Sequence, residues 1–260
     1  MPVPDPADDL ALLTEAAQEA GRIAMRHFRR DPRTWEKADG TGPVTEADLD
    51  VDAMLRDTLT AARPDYGWLS EETADTPDRL DRDTVFICDP IDGTRAFIDG
   101  QSAFAHALCV VRKGAPVAGV IYLPAQDRLY AAALGRGAML NGEPVRATDA
   151  AAEGPASLLI TKPAMAARHW PGGVPDIDRH YRPSLAYRIA LVAEGRFDGM
   201  VTFRATWEWD AAAGAIIASE AGAKVTDAQG RALQFNRPRP QVSGMIIAAP
   251  ALHGALMARR

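Results

Sequence analysis

The sequence has few of the features that mark secreted or membrane proteins. Its only cysteines are Cys88 and Cys109, and both lie in apolar runs that resemble buried strands. A disulfide framework needs more cysteines than this, so we expect free thiols in a reducing compartment. No apolar run approaches the roughly 20 residues that span a bilayer, and the N-terminus lacks the basic-then-apolar pattern of a secretion signal. These absences predict a cytoplasmic protein with no membrane segment.

An excess of positive charge is also missing. The chain has 35 acidic and 29 basic side chains among 260 residues, which gives a formal net charge of −6. This balance argues against binding to nucleic-acid polymers or anionic membranes. It does not argue against small anionic substrates, because bound metal ions can invert the local field.

Hydrophobic periodicity predicts a mixed α/β chain with two subdomains. Residues 1–150 form an α+β part, residues 151–260 form an α/β part, and a small-residue stretch at 148–156 separates them. The predicted helices cover 8–29, a segment starting near Thr45, 184–194 and 211–221, with a terminal helix. The predicted strands are 85–88, 104–111, 117–122, 129–133, 158–161, 197–202, 224–226 and 245–249. Residues 163–183 are predicted to be a loop, and Asn141-Gly142 predicts a hairpin turn.

The most informative segment is Asp89-Pro90-Ile91-Asp92-Gly93-Thr94, which follows an apolar strand. Pro90 permits a sharp departure from the sheet, so the two carboxylates can converge on one point. Gly93 frees the backbone for an unusual conformation, and Thr94 is placed to open a helix whose N–H groups favour an anion. Two carboxylates beside a phosphate would repel it unless metal ions lie between them.

Three further acidic segments strengthen this interpretation. Glu71-Glu72 follows an apolar run, an arrangement that can point one side chain to the site and the other to solvent. Asp210 stands at the predicted start of a small-residue helix, and Asp48 lies in the first turn of the second helix. Each alone is an ordinary surface or capping residue. Together they offer oxygen ligands without His or Cys, which favours Mg²⁺, with Mn²⁺ as a substitute.

The order Glu-Glu, then DPIDGT, then WDAAAG resembles the inositol monophosphatase family of lithium-sensitive phosphatases. The resemblance extends over nearly the whole chain. It implies a layered α/β/α/β/α sandwich, two or three Mg²⁺ ions and a homodimer. It also implies that a metal-activated water attacks a small-molecule phosphate ester directly, without a phosphoenzyme. A catalytically silent member of the family that only binds a ligand is the alternative from another class.

The same resemblance assigns roles to individual residues. Glu71, Asp89 and the Ile91 carbonyl would hold one metal ion, and Asp89, Asp92 and Asp210 a second. Asp48 and Thr94, alongside Glu71, would polarise the attacking water. The backbone of Gly93 and Thr94 would bind the phosphate.

The substrate is less strongly specified. Family members that hydrolyse inositol monophosphate carry Glu where this chain has Phe203, and the surrounding string is similar to that of 3′(2′),5′-bisphosphate nucleotidases. Arg95, Arg188 and Arg204 are candidates to bind a second phosphate. We therefore predict substrate binding by Gly93, Thr94, Arg95, Arg188, Phe203 and Arg204. Inositol or sugar monophosphates and histidinol phosphate are the alternative substrates, and the latter also fits the string DGTRAFI.

Overall fold

A computed structural model describes residues 4–37, 40, 42–149 and 155–260. These residues contain six α-helices, named α1 to α6 in chain order: Pro6–His27, Glu46–Ala62, Thr94–Ile98, Leu185–Ala193, Glu208–Glu220 and Pro250–Ala258. Within this part of the chain no helix is long and apolar enough to cross a bilayer.

The strands form a hairpin and two larger sheets. The hairpin pairs β1 (Thr34–Glu36) with β2 (Pro43–Thr45). The seven-stranded sheet runs in the order β3 to β9 along the chain: Gly67–Ser70, Thr84–Asp92, Ala105–Arg112, Ala115–Leu123, Arg128–Ala133, Ala138–Leu140 and Glu143–Val145. The five-stranded sheet comprises β10 to β14, which are Ala156–Ile160, Ile177–His180, Gly199–Trp207, Lys224–Thr226 and Gln241–Ala248. Its spatial order is β11-β10-β12-β14-β13.

The elements stack in five layers. Helices α1 and α2 cover one face of the seven-stranded sheet through an apolar cluster that includes Leu13 and Leu55. Helices α4 and α5 lie between the two sheets and contact both. Helix α6 packs on the outer face of the five-stranded sheet against Trp170 and Val201. This arrangement confirms the predicted layered α/β/α/β/α sandwich.

Small residues let the central layer pack tightly, as the sequence predicts for the helix after Asp210. A Cβ built on Gly214 of α5 would lie 2.8 Å from two side-chain carbons of Ile189 in α4. Likewise, a Cβ on Gly119 of β6 would lie 2.7 Å from Ile216. Because such contacts are closer than real Cβ atoms approach, hydrogen is the only side chain that fits at these crossings.

Local predictions hold in part. The meander of β5, β6 and β7 is antiparallel as expected, and Asn141-Gly142 joins β8 to β9 with positive φ at both residues. The predicted loop at 163–183 is wrong in one respect, because β11 lies within it and pairs in parallel with β10. The short strand β11 lacks the alternation of apolar residues by which a strand is recognised in a sequence. It forms because its parallel neighbour β10 supplies hydrogen bonds. The central residues of the proposed subdomain boundary, 150–154, lie outside the described residues.

Candidate active site

The segment from Asp89 to Asp92 lies inside a strand rather than after one. β4 continues to Asp92, and its register against β5 shifts between these carboxylates: Asp89 pairs with Ala107, and Asp92 with Ala105. Three steps along β4 thus oppose two along β5, which is the geometry of a bulge. Gly93 follows with φ of +100°, a conformation that favours glycine. The bulge replaces the sharp exit from the sheet that the sequence predicts.

Three carboxylates converge at this bulge. Glu71, Asp89 and Asp210 each present one oxygen, and these oxygens lie within 4.8 Å of one another. Asp89 is 1% exposed, and neither of its carboxylate oxygens has a hydrogen-bond partner among the described residues. Burial, together with the neighbouring carboxylates, raises the pKa of Asp89 and of Asp210 well above the usual range. A cation of high charge would relieve this repulsion.

Asp92 is held by the start of α4. Its Oδ2 accepts hydrogen bonds from the Ser184 hydroxyl at 2.7 Å and from the Ala186 N–H at 2.6 Å. Ser184 also caps α4 by accepting from the Tyr187 N–H. Burial raises the pKa of Asp92, although the Ser184 and Ala186 bonds oppose that rise. The helix start therefore fixes this carboxylate beside the cluster, a role for Ser184 that sequence reasoning missed.

Thr94 and Asp48 meet although 46 residues separate them. The Thr94 hydroxyl lies 3.2 Å from Asp48 Oδ1 and 3.1 Å from the Ile91 carbonyl oxygen. The other Asp48 oxygen accepts from the Thr45 N–H at 2.8 Å, within a capping box at the start of α2. Burial raises the pKa of Asp48 to about 6, against the Thr45 bonds that lower it. A buried carboxyl group with such a pKa suits proton transfer near neutrality.

Glu72 does not face solvent, which corrects the sequence interpretation of the acidic pair. Its side chain is 6% exposed, less than the 25% of Glu71. Lys37, from the end of the β1–β2 hairpin, donates to Glu71 at 2.7 Å and to Glu72 at 2.8 Å. Burial raises the pKa of Glu72 to about 7, although the bond from Lys37 lowers it. The partly buried Lys37 ammonium makes the covered carboxylate of Glu72 tolerable beside Glu71, and no local sequence pattern marks this contact.

A cavity of about 490 Å³ opens over the cluster. The predicted site residues Glu71, Asp89, Ile91, Asp92, Gly93, Thr94, Arg95, Arg188, Arg204 and Asp210 all line it. Asp48 joins them through Thr94. Lys37, Tyr181, Trp207 and Trp209 also line the cavity, and sequence reasoning did not select them.

Phe203 lies elsewhere. Its ring stacks on His169 at 4.7 Å and meets Trp170 edge-on at 5.2 Å, in the layer outside the five-stranded sheet. The guanidinium of Arg260 covers the same ring at 4.2 Å. Because these contacts direct the side chain away from the cavity-lining residues, we leave Phe203 out of the proposed substrate site.

The donor set fits a hard divalent cation. The cluster offers carboxylate oxygens, including two buried ones without partners, and neither His nor Cys belongs to it. Mg²⁺ and related ions prefer such ligands. Glu71, Asp89 and Asp210 are thus the described residues that could hold a metal ion together.

Comparison with known proteins agrees with this chemistry. The model of the inositol monophosphatase family matches residues 5–260. A histidinol-phosphatase from Chlorobaculum parvum is 36% identical and covers 86% of this chain and 87% of its own. An inositol-1-monophosphatase from Rhizobium meliloti is 34% identical, and the match covers 85% of this chain and 86% of the relative. A 3′(2′),5′-bisphosphate nucleotidase from Aggregatibacter actinomycetemcomitans is 31% identical over 86% of each chain.

A solved structure extends the likeness to three dimensions. The IMPase of Thermotoga maritima matches with a TM-score of 0.83 at 28% identity, over 96% of both chains. The fold and the relatives together define a phosphomonoester hydrolase, and the acidic cluster could hold a metal ion of the kind on which this family generally depends. The chain belongs to the inositol monophosphatase family. Both the resemblance read from the sequence and the predicted enzyme class are confirmed.

Proposed function

We propose that this chain is a Mg²⁺-dependent phosphatase whose preferred substrate carries a second anionic group, as a 3′(2′),5′-bisphosphate nucleotide does. Two or three ions would be held by Glu71, Asp89, Asp92, Asp210 and the Ile91 carbonyl, and Mn²⁺ would substitute. The ions would supply charge to stabilise the attacking and leaving oxygens of an in-line displacement. The protein would act as a homodimer.

The side chains supply proton transfer and orientation. The Thr94 hydroxyl, 3.2 Å from Asp48, would accept a proton from the attacking water while its own proton moves to Asp48 Oδ1. The water oxygen then bonds to phosphorus as the ester P–O bond breaks, the leaving oxygen takes up a proton from solvent, and Asp48 holds the proton passed on by Thr94. Asp48, whose pKa is about 6, can accept and return that proton near neutral pH.

Arg188 carries the substrate proposal. It lines the cavity yet is only 3% exposed. Its Nε donates to the Ser184 carbonyl, and its guanidinium lies 5.4 Å from the Tyr181 ring. No carboxylate among the described residues forms an ion pair with it. Burial lowers the pKa of Arg188, the charge of Asp92 opposes this effect, and the nearby positive charge of Arg204 lowers the pKa further. An anion from the substrate would stabilise both guanidinium groups.

This environment favours a bisphosphate over the alternative substrates. Inositol 1-phosphate brings neutral hydroxyl groups, which add no negative charge beside Arg188 and Arg204. Histidinol phosphate brings an ammonium group, which two arginines would repel. The similarity to a histidinol-phosphatase makes that compound the second candidate.

A substrate panel tests the proposal. Phosphate release is measured at equal Mg²⁺ for 3′-phosphoadenosine 5′-phosphate, inositol 1-phosphate and histidinol phosphate, with a metal-free control. We expect the highest kcat/KM for the bisphosphate. A higher value for either alternative would reject the nucleotidase assignment. Release from no substrate would favour the catalytically silent alternative.

A variant pair isolates Arg188. Arg188→Gln should lower kcat/KM for the bisphosphate by about tenfold or more, because a charged hydrogen bond contributes about 1.5–3 kcal/mol. Adenosine 3′-phosphate, which lacks the second phosphate, should be affected much less. Arg196→Gln, an exposed change just beyond α4, is the matched control. Equal losses for both substrates would show that Arg188 does not bind the second phosphate.

A further inference from the structure

Asp52 is a buried carboxylate near the active site that has no part in the chemistry described so far. It is 8% exposed and lies on α2, one helical turn after Asp48. Residues four apart share a face of a helix, so both carboxylates point toward the seven-stranded sheet side of α2. Asp48 reaches Thr94, whereas Asp52 reaches the segment at the end of β3.

Both oxygens of Asp52 are used in that segment. Oδ1 accepts a hydrogen bond from the Ser70 hydroxyl, and Oδ2 accepts one from the Thr73 hydroxyl at 2.6 Å. Thr73 is held in turn by the Trp68 indole N–H at 3.2 Å. Ser70 and Thr73 flank Glu71 and Glu72 on either side. The carboxylate therefore clamps the two ends of the turn that carries Glu71.

We propose that Asp52 is a positioning residue that holds Glu71 in the geometry required for metal binding. Glu71 has few other restraints: its N–H bonds to the Cys88 carbonyl at 3.3 Å, and its side chain accepts a hydrogen bond from the Lys37 ammonium at 2.7 Å. A metal ligand gains affinity when its surroundings fix its orientation. Through Asp48 and Asp52, helix α2 thus supports both the Thr94 side and the Glu71 side of the site. This inference rests on the proposed metal-dependent function.

Direct Mn²⁺ binding by the whole protein, measured by calorimetry without substrate, is the first test. Asp52→Ala should weaken binding by about tenfold or more, because loss of a partner that orients a metal ligand typically costs 10–100-fold. Thr73→Val, which is nearly isosteric but lacks the hydroxyl, should also weaken Mn²⁺ binding. Thr73→Ser, which keeps the hydroxyl, should restore it. Asp57→Ala changes an exposed carboxylate on the same helix and should have no effect.

Activity and coupling provide the second test. The Mg²⁺ concentration for half-maximal activity should rise in Asp52→Ala, while kcat at saturating Mg²⁺ and KM for substrate stay within a few-fold. The double variant Asp52→Ala/Thr73→Val should bind Mn²⁺ no worse than Asp52→Ala, since the residues act as one unit. A lower Tm with unchanged Mn²⁺ affinity, or additive losses, would overturn the proposal. Absence of Mn²⁺ binding in the unmodified protein would instead reject the proposed function.

Discussion

At the scale of single residues, the site is dominated by carboxylates that repel one another. Asp89 is the extreme case, since both of its buried oxygens lack a hydrogen-bond partner among the described residues. Its raised pKa means that burial and the neighbouring charges oppose ionisation. A group whose folded pKa exceeds its unfolded value stabilises the fold at low pH and loses that contribution as pH rises.

Asp89→Asn should therefore separate stability from activity. Without metal, the contribution of Asp89 to the free energy of unfolding should fall as pH rises above about 4, the usual carboxyl pKa. The variant should lose part of this dependence and be equally or more stable at pH 8, as measured by urea unfolding. Its turnover in saturating Mg²⁺ should drop by several orders of magnitude. Near-normal kcat would refute the metal-ligand role of Asp89.

The Thr94 hydroxyl is expected to take part in proton transfer. Thr94→Ser keeps the contacts to Asp48 and the Ile91 carbonyl and should retain much of the activity. Thr94→Ala should lose about 10²–10⁴-fold in kcat, the usual range for general acid–base assistance. Steady-state kinetics at saturating Mg²⁺ distinguishes the two variants. Equal activity in both would show that the hydroxyl is not needed.

At the scale of secondary-structure elements, adjacent strands and helix starts hold the segments that carry the acidic cluster. The β4 bulge carries Asp89 and Asp92, and His106 on β5 contacts the Pro90 carbonyl through Nδ1. Asp210 is the third residue of α5, which begins at Glu208. The sequence instead predicts that the helix starts at Asp210. Because Trp207 is the N-cap, the helix begins earlier than its small-residue run indicates.

The His106 contact predicts a specific loss of stability in acid. Burial lowers the pKa of His106 to about 4, although the Pro90 bond raises it. The unfolded chain therefore binds a proton between about pH 6.5 and 4 that the folded chain does not, and stability falls through this window as pH decreases. By pH 5 the His106 contribution should be about 2 kcal/mol less favourable than at neutral pH.

Chemical unfolding with saturating Mg²⁺ at pH 7.5 and pH 5 measures this contribution. His106→Gln should show a smaller decrease between the two pH values than the unmodified protein. An unchanged decrease in the variant would assign the acid sensitivity to other groups.

The helix starts around Asp92 and Asp210 also bear on inhibition by lithium. Li⁺ is close to Mg²⁺ in size but has half the charge, so it would occupy the second metal position without stabilising the leaving oxygen equally well. We expect LiCl to inhibit in an uncompetitive or mixed manner, and NaCl or KCl at equal ionic strength to have no such effect. Asp210→Glu, if active, should have altered lithium sensitivity. Identical effects of lithium and potassium would contradict the proposed arrangement of this position.

At the scale of the whole molecule, buried charged groups join the N-terminal and C-terminal halves. Arg79, 2% exposed, donates to the Asn236 side chain at 2.7 Å and to the Arg237 carbonyl at 3.0 Å. Glu208, fully buried, accepts from the backbone N–H groups of Asn236 and Arg237. The 236–237 segment is thus fixed from both halves of the chain.

Replacing the Arg79 side chain should lower the stability of the fold without changing the catalytic rate. Arg79→Met should lower the free energy of unfolding by about 2 kcal/mol, because Asn236 Oδ1 and the Arg237 carbonyl lose their charged donor. The kcat in saturating Mg²⁺ should stay within a few-fold of the unmodified enzyme at a temperature where both are folded. Arg82→Met, an exposed change in the same region, is the control. Equal stability of the two variants would show that the Arg79 network contributes little.

Residue types along the chain predicted an acidic cluster that could bind a metal ion, and the family resemblance predicted the class of fold. Asp89, Asp92, Asp210, Glu71 and Asp48 were identified because carboxylate chemistry is carried by residue type. The start of α2 near Thr45 was predicted correctly because the signals that begin a helix depend on residues only a few positions apart. The order of the layers was predicted from the family resemblance alone. Apolar periodicity shows that a helix has a buried face, but it does not specify which sheet that helix covers.

Tertiary structure alone decided which side chains face the cavity. The β12 register against β14 shifts between Thr202 and Ala205, so simple alternation along the strand fails there. Phe203 packs in the outer layer with Val201, two residues earlier, whereas the consecutive residues Arg204, Ala205 and Thr206 all line the cavity. The burial of Arg188 and the contact of Lys37 with Glu72 depend on segments distant in the chain. Because such contacts arise from packing between layers, no local pattern in the sequence encodes them.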